Sequence, residues 1–264
     1  MKKLFTIALL LSILVTVFNV FQNSSRQVSD TDIEKNSKEY FYDQEVKMFS
    51  FERISRKVFN QVASLFTLSR RTILLPITFK KQEHSVTCEV ASLRMSLNYL
   101  GIDITEDELL KQINVSTSSP RTKDNFWGDP RIGFVGDFDG SIFFGTGYGV
   151  YDYPIMNLAR MYTKADTLDN PSISEVLEHV KSGSPVIVWG LLSSKYTIYW
   201  TSHEGKQIKA FPGEHSRIVI GYTGNISSPD NIILMDPLYG IVQIETSLFL
   251  EEWRMLDNMA VVVG

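Results

Sequence analysis

The pattern of apolar and polar positions between Gln82 and Gly101 is that of a helix. Its apolar side chains recur every three or four residues, at Val90, Leu93, Leu97 and Leu100. This spacing places them on one face of an α-helix. Thr87 is a residue type that caps helix N-termini, and glycine, here Gly101, commonly follows the C-terminus. The pattern therefore predicts a helix whose first turn contains Cys88.

Two further helices are predicted from their N-terminal caps. The segment Thr105-Glu106-Asp107-Glu108 has the form of a capping box and predicts a helix through Ile113. The segment Ser172-Ile173-Ser174-Glu175 has the same form and predicts a helix to Lys181 that ends at Gly183. Apolar spacing predicts two more short helices, over residues 154–162 and 248–256.

Strand patterns cluster in the second half of the chain. Runs rich in β-branched residues are separated by turn-forming residues, at Pro185–Trp189, Arg217–Tyr222, Ile232–Met235, Ile241–Ile244 and Met259–Val263. A helical half that carries Cys88 is thus followed by a strand-rich half. This order of elements predicts a compact α/β or α+β fold for residues 72–264.

The N-terminus has a different pattern. Two lysines after Met1 precede an uncharged, mostly apolar segment from Leu4 to Phe21, which is typical of an export signal. The segment is long enough to span a bilayer, and no small residues with cleavage-site spacing follow it. Residues 1–23 are therefore predicted to be an uncleaved membrane anchor or a cleaved signal peptide. In both cases the rest of the chain is expected outside the cytoplasm, at the cell membrane or secreted.

Residues 24–71 are predicted to form a polar stalk and an amphipathic helix. The first part of this region is polar and mixed in charge. Its second part has apolar residues at helical spacing, namely Ile54, Val58, Val62 and Leu65. Basic residues lie beside them, so this helix is expected to pack on the following domain or to lie on a membrane surface.

Composition excludes several classes of function. The chain has 44% hydrophobic and 12% aromatic residues, as in a globular protein, and its net charge of −4 gives no basic surface for nucleic acid. Neither an H-E-x-x-H nor a C-x-x-C motif is present, so we expect no metal and no cofactor. Composition leaves the oligomeric state open.

Cys88 is the single cysteine of the chain. It is either an inert buried side chain or a nucleophile, since it has no second cysteine with which to form an internal disulfide. The free N–H groups and the dipole at a helix N-terminus favour the nucleophilic thiolate. Gln82, in the preceding loop, is placed to donate an amide N–H to an oxyanion.

A cysteine nucleophile needs a base, and the chain offers four histidines. His179 lies on a predicted helix surface and His203 in a predicted hairpin turn, while His84 shares the loop of Gln82 and stays open. His215 directly precedes a predicted strand, which is a rigid place to hold a base. The next strand ends at Asp236, whose carboxylate can orient the imidazole.

Several segments in this order resemble the bacterial cysteine peptidase family 39-like group, papain-fold relatives of the bacteriocin-processing double-glycine peptidases. His215 and Asp236 follow Cys88 by 127 and 148 residues, as the catalytic residues of papain-like enzymes do. The segments that carry the resemblance are Gln82 with Cys88-Glu89, Gly128-Asp129-Pro130, Gly133–Gly136, Gly147–Tyr151, Gly183–Trp189, Glu214-His215 and Asp236-Pro237.

The resemblance implies an α+β, papain-like fold whose helical half carries the cysteine and whose antiparallel, strand-rich half carries the histidine and the aspartate. It assigns Cys88 as nucleophile, His215 as general base and acid, Asp236 as the orienting carboxylate and Gln82 as the oxyanion donor. The chain lacks the G-x-x-x-x-G-K-[ST] motif of the transporter-fused bacteriocin peptidases. Cleavage of leader peptides is therefore not implied.

Three functions are compatible with these residues. The sequence favours a bacterial, extracytoplasmic cysteine peptidase that hydrolyses a peptide or amide bond in a peptide or protein substrate. An acyl transferase or deamidase would use the same thioester, and a non-catalytic peptide-binding module would use only the fold. Trp127, Asp129 and Phe134 are predicted either to line the substrate cleft or to pack beneath a long loop.

Overall fold

The computed structural model describes residues 72–192 and 195–264. The signal or anchor predicted for residues 1–23 and the stalk and helix predicted for residues 24–71 lie outside these residues. Within the described ranges, no helix is long and apolar enough to cross a membrane.

The described residues form a mixture of helices and strands, which confirms the α+β prediction. The helices are α1 (Cys88–Tyr99), α2 (Glu106–Leu110), α3 (Asp152–Ala159), α4 (Ile173–Ser182) and α5 (Thr246–Arg254). The strands of the largest sheet are β1 (Thr72–Leu74), β6 (Ala165–Thr167), β7 (Val186–Leu191), β10 (Glu214–Asn225), β11 (Ser228–Asp236), β12 (Gly240–Glu245) and β13 (Ala260–Val263). The shorter strands are β2 (Val115–Thr117), β3 (Phe126–Trp127), β4 (Phe134–Gly136), β5 (Gly147–Gly149), β8 (Ile198–Ser202) and β9 (Gln207–Ala210).

The largest sheet has the order β12-β11-β10-β7-β13-β6, with β1 paired to β10. All of its pairs are antiparallel. Each of the five predicted strands belongs to this sheet, which confirms the strand-rich second half. Helix α1 packs against β10, so the helical half meets the sheet along the strand that carries His215.

The two smaller sheets, β2-β4-β5 and β3-β8-β9, are not predicted from the sequence as sheets. Trp127 and Trp200 hold the second of them together, with ring centroids 5.2 Å apart. Trp127, Asp129 and Phe134 are almost fully buried, and none of them lines the cleft at Cys88. Of the two interpretations of these residues, packing beneath the loop is therefore the one observed.

The predicted helices are found, but three differ in extent. Helix α2 is shorter than predicted, α3 begins and ends before the predicted residues 154–162 do, and α5 begins and ends before the predicted residues 248–256 do. Gly101 has φ +84° and follows α1, where the Ile102 N–H donates to Leu97 O at 3.0 Å. The capping box of α2 is complete, with Thr105 and Glu108 bonded to each other's backbone N–H. Helix α2 ends at Leu110, before the predicted Ile113, because the chain continues as a turn.

Candidate active site

A cleft of about 370 Å³ opens where the N-terminus of α1 meets the first residues of β10. Gln82, Cys88 and His215 all line it, and Asp236 lies behind His215. The structure therefore brings together the four residues that the sequence singled out. Apolar side chains form much of the remaining wall, among them Val86, Ile142, Phe143, Leu192, Phe211 and Leu238.

Cys88 is the first residue of α1 and is only 5% exposed. Thr87 occupies the N-cap position as predicted, but its hydroxyl caps nothing in α1. That hydroxyl instead donates to Oε1 of the buried Glu106 at 2.5 Å. The bond ties the residue before the nucleophile to helix α2, so the start of α1 is held by a neighbouring helix.

The Cys88 sulfur has a hydrogen-bond donor on one side and an acceptor on the other. The Ser216 N–H donates to Sγ at 3.4 Å, and the thiol donates to Oε2 of Glu89, also at 3.4 Å. Burial raises the pKa of Cys88 well above its usual value, and the negative charges of Glu89 and Glu214 raise it further. Burial and the two carboxylates therefore oppose the thiolate that the helix N-terminus is expected to favour.

His215 and Asp236 form a buried pair. Nε2 of His215 lies 3.1 Å from Oδ1 of Asp236, although its N–H is not aimed straight at that oxygen. Burial alone would raise the pKa of Asp236, but the charge and hydrogen bond of His215, with Arg217 and the Leu238 N–H, lower it below its usual value. Since Nε2 faces the carboxylate, Nδ1 is the ring nitrogen that Asp236 leaves unengaged.

Gln82 lies in the cleft with its amide already engaged. Its Nε2 donates to the carbonyl oxygens of His84 at 2.8 Å and Ser85 at 3.2 Å. Its Oε1 has no hydrogen-bond partner among the described residues. The backbone N–H of Gln82 donates to Pro237 O at 2.9 Å, which ties the loop to the turn after Asp236. The oxyanion role of Gln82 stays a prediction, and it requires Nε2 to exchange a carbonyl for substrate.

The other histidines lie away from the nucleophile. His84 is held between two carboxylates, with Nδ1 3.0 Å from Asp139 and Nε2 3.0 Å from Asp107. These two bonds, of which the one to Asp139 has the larger effect, raise the pKa of His84 to about 9. His179 lies on α4, and His203 is exposed between β8 and β9. His84, which the sequence left open, therefore braces the Gln82 loop.

Two glutamates at the site were not singled out from the sequence. The Cys88 sulfur and one carboxylate oxygen each of Glu89 and Glu214 all lie within 4.8 Å of one another. Burial raises the pKa of Glu89 to about 7. Burial and the charge of Glu89 raise the pKa of Glu214 well above its usual value. Their positions carried a signal, because each is a charged residue directly beside a catalytic candidate, Cys88 or His215.

Comparisons with known proteins identify the family of this chain. The family model described as Peptidase_C39 like family matches residues 74–261. An uncharacterised protein, YvpB, of Bacillus subtilis strain 168 is 34% identical over 185 residues, which cover 67% of this chain and 68% of that protein. The family match confirms the resemblance inferred from the motifs.

Solved structures are similar as well. A structure described as a C39-like peptidase from Bacillus anthracis aligns with 74% of this chain and 98% of that chain, with a TM-score of 0.64 and 28% sequence identity. A double glycine motif protease from an AMS/PCAT transporter, in complex with its leader peptide, covers 75% of this chain and 94% of that chain, with a TM-score of 0.38 and 14% identity.

Proposed function

Because the chain belongs to the Peptidase_C39 like family, we propose that it is a cysteine peptidase that hydrolyses peptide bonds through a thioester on Cys88. One observation carries this proposal. The strand that donates a backbone N–H to the Cys88 sulfur also holds His215, whose far nitrogen faces a buried carboxylate. Hydrolysis of a peptide bond by a cysteine requires a nucleophile, a base and a group that orients the base, in this order.

The first chemical step is the attack of Cys88 on the substrate carbonyl. The proton of the thiol moves to Nδ1 of His215, and Asp236 stabilises the imidazolium that forms. The sulfur then bonds to the carbonyl carbon, and the oxygen becomes an oxyanion. Backbone N–H groups in the first turn of α1 and the amide of Gln82 are the donors assigned to that oxyanion.

The second step separates the products. His215 gives its proton to the leaving amine, which leaves an acyl group on Cys88 as a thioester. His215 then takes a proton from water, which attacks the thioester and frees the acid and the thiol. The apolar wall of the cleft supports binding of a peptide with apolar side chains near the cleaved bond.

We place this activity outside the cytoplasm, at the membrane or in a secreted protein. The support for this location is the uncharged, mostly apolar segment from Leu4 to Phe21, which is predicted to be an export signal. Mass spectrometry of the N-terminus of the native protein tests it. An intact Met1 in the membrane fraction supports the anchor, and a start near residue 22 supports secretion. An intact chain in the cytosol contradicts both.

A non-catalytic peptide-binding module is the second candidate. Two observations favour it: the Cys88 thiol is buried and hard to ionise, and both N–H groups of the Gln82 amide are already bonded within its loop. In such a module the cleft would hold a peptide without cleaving it.

Incubation of the protein with a peptide library, followed by mass analysis of the products, tests the three functions. A peptidase gives fragments that carry water, and an acyl transferase gives amine adducts. A deamidase converts glutamine to glutamate without cleavage. Cys88→Ala is expected to abolish each of these products. A non-catalytic binding module would instead leave the peptides intact and bind them equally in the parent and in Cys88→Ala.

A further inference from the structure

Two glutamates that take no part in the mechanism above lie against the nucleophile. Glu89 accepts the hydrogen bond of the Cys88 thiol, and one carboxylate oxygen each of Glu89 and Glu214 lies within 4.8 Å of the sulfur and of the other. We propose that this carboxyl pair controls the ionisation of Cys88, so that the thiolate forms while the pair is neutral and is suppressed once the pair is an anion. This role rests on the proposed peptidase function, because it describes how the same nucleophile responds to pH.

The two carboxyl groups differ in their hydrogen-bond donors. Oε1 of Glu89 accepts the Val150 N–H at 2.9 Å, so a negative charge on this group has a donor. Oε1 of Glu214 is buried and has no partner within the described part of the chain. An ionised oxygen without a donor is costly to bury. The negative charge of the pair therefore resides on Glu89, and Glu214 keeps its proton.

The ionisation of two such close groups is coupled. Like charges a few ångströms apart in a buried site do not ionise together readily, so one proton stays with the pair over a wide pH range. This agrees with burial raising the pKa of Glu89 to about 7, while burial and Glu89 together raise that of Glu214 well above its usual value. The pair therefore changes from neutral to anionic near neutral pH.

Space for the pair comes from Gly149 on β5. Its φ of +134° is rarely adopted by other residues, and a Cβ there would press on the Glu89 carboxylate. The same Cβ would lie 3.6 Å from Oε2 of Glu214. The backbone of β5 thus approaches both carboxyl groups closely, and the neighbouring N–H of Val150 bonds one of them.

Other ionisable groups also act on this cluster. Glu106, paired with Arg94, raises the pKa of Glu89. Burial raises the pKa of Tyr148 and Tyr151, so both phenols stay neutral beside Glu214. Further ionisable groups nearby are the His215–Asp236 pair and, at and beyond Tyr151, Asp152, Arg131 and Asp257.

The sign of the effect follows from the charges. Below about pH 7 Glu89 is protonated, and transfer of the thiol proton to His215 creates a thiolate with no other anion beside it. Above about pH 7 the thiolate would be a second buried negative charge next to Glu89, so the thiol form is retained. The reactivity of Cys88 is therefore expected to fall as the pH rises through neutrality, whereas that of a free thiol rises.

The test is the rate at which iodoacetamide alkylates the single cysteine, measured against pH. In Glu89→Gln the side-chain oxygen still accepts the Val150 N–H, but the charge is gone. We expect the fall near neutrality to vanish and the rate at pH 8 to rise about tenfold, as for a pKa lowered by about one unit. Glu178→Gln, at an exposed ion pair on α4, is the control and is expected to keep the parent profile.

Glu214→Gln distinguishes the two carboxyl groups. Because Glu214 stays protonated and carries no charge, Glu214→Gln is expected to retain the fall in Cys88 reactivity near neutral pH. A parent-like profile in Glu89→Gln would overturn the proposal, and so would loss of the fall in Glu214→Gln alone.

Two further measurements keep the test decisive. If Glu89→Gln does not fold, the infrared absorption of protonated carboxyl groups is measured in the parent against pH. This absorption must decrease over the same pH range as Cys88 reactivity, and an unchanged band overturns the proposal.

Peptide cleavage is measured on the same proteins. If no peptide is cleaved but the alkylation profile changes in Glu89→Gln as expected, the proposed peptidase function is refuted and the role of the carboxyl pair is supported. If peptides are cleaved but the alkylation profile of Glu89→Gln is unchanged, the role of the carboxyl pair is refuted and the peptidase function is supported.

Discussion

At the scale of single residues, the surroundings of Cys88 oppose its ionisation. The sulfur lies at a helix N-terminus, but it is buried and has two carboxyl groups within a few ångströms. A thiolate at this position needs a compensating positive charge. In the proposed mechanism His215, whose Nε2 lies 3.1 Å from Oδ1 of Asp236, supplies it. On that proposal the ionisation of Cys88 depends on the His215–Asp236 pair.

Asp236→Asn is expected to slow peptide hydrolysis by roughly 10²- to 10⁴-fold, because the amide no longer stabilises the imidazolium or fixes its tautomer. Alkylation of Cys88 at pH 6 should slow as well. Both rates are measured on the parent and on Asp103→Asn, an exposed position between α1 and α2, as control. Equal rates in Asp236→Asn and the parent would remove the aspartate from the mechanism.

At the scale of elements, hydrogen bonds and ion pairs hold the loop that carries Gln82 against several neighbouring elements. His84 bridges Asp107 at the start of α2 and Asp139 in the loop after β4. The Gln82 N–H bonds Pro237 O, which connects the same loop to the turn after β11. The loop is thus held against both halves of the fold, which fixes its backbone at the edge of the cleft.

His84→Ala is expected to destabilise the protein in a pH-dependent manner. The pKa of His84 is raised from 6.5 to about 9, so its ion pairs contribute fully below about pH 6.5 and are lost as the pH rises through about 9. The decrease in Tm should be larger at pH 6 than at pH 9.5. Thermal unfolding of His203→Ala, an exposed turn residue, gives the baseline, and a pH-independent loss in His84→Ala would contradict this explanation.

Strand β10 is joined to helix α5 by a buried ion pair. Nη2 of Arg217 lies 3.0 Å from Oε2 of Glu252, and both side chains are at most 4% exposed. Glu252→Ala leaves the guanidinium buried without this carboxylate, so we expect the free energy of unfolding to fall by roughly 3 to 5 kcal/mol.

The adjacent Glu251 provides a matched control. It pairs with Lys195 at 2.5 Å, but both side chains are about half exposed. Glu251→Ala should lower the free energy of unfolding by less than about 1 kcal/mol. Urea unfolding of the two variants measures the difference, and equal losses would show that burial of the Arg217 pair has no special effect.

At the scale of the whole molecule, the active site carries a cost in stability. Burial raises the pKa of Glu89, Glu214 and Glu106 in the folded protein. Carboxyl groups with raised pKa values stabilise the fold at low pH, and that contribution is lost as the pH rises through the folded pKa. These groups therefore oppose folding at neutral and alkaline pH, and they lie beside the nucleophile or one helix away.

Glu89→Gln is expected to stabilise the protein at pH 8 and to have little effect at pH 4.5. The pKa of Glu89 is raised from 4.5 to about 7, so the stability lost across this interval is on the order of 3 kcal/mol. Urea unfolding at both pH values measures it, and Glu178→Gln serves again as the exposed control. Equal stabilities of parent and Glu89→Gln at pH 8 would contradict a raised pKa at Glu89.

Much of the fold was accessible from the sequence because its signals are local. The capping box at Thr105, the glycine ends at Gly101 and Gly183, and the β-branched runs of the large sheet depend on residues close in the chain. The small sheets were missed because their strands are only two to five residues long, and strands this short depend on pairing with distant segments.

By itself, the sequence determined the α+β class and the family, since residue types at fixed spacings carry that information, and it predicted Cys88, His215, Asp236 and Gln82 as the site residues. Only the tertiary structure decided how these side chains are paired and charged. It placed Glu89 and Glu214 at the sulfur, turned the Thr87 hydroxyl to Glu106 and set His84 between two carboxylates. Hydrogen-bond partners and pKa values depend on burial and on charges that are distant in the chain, and no local pattern specifies either.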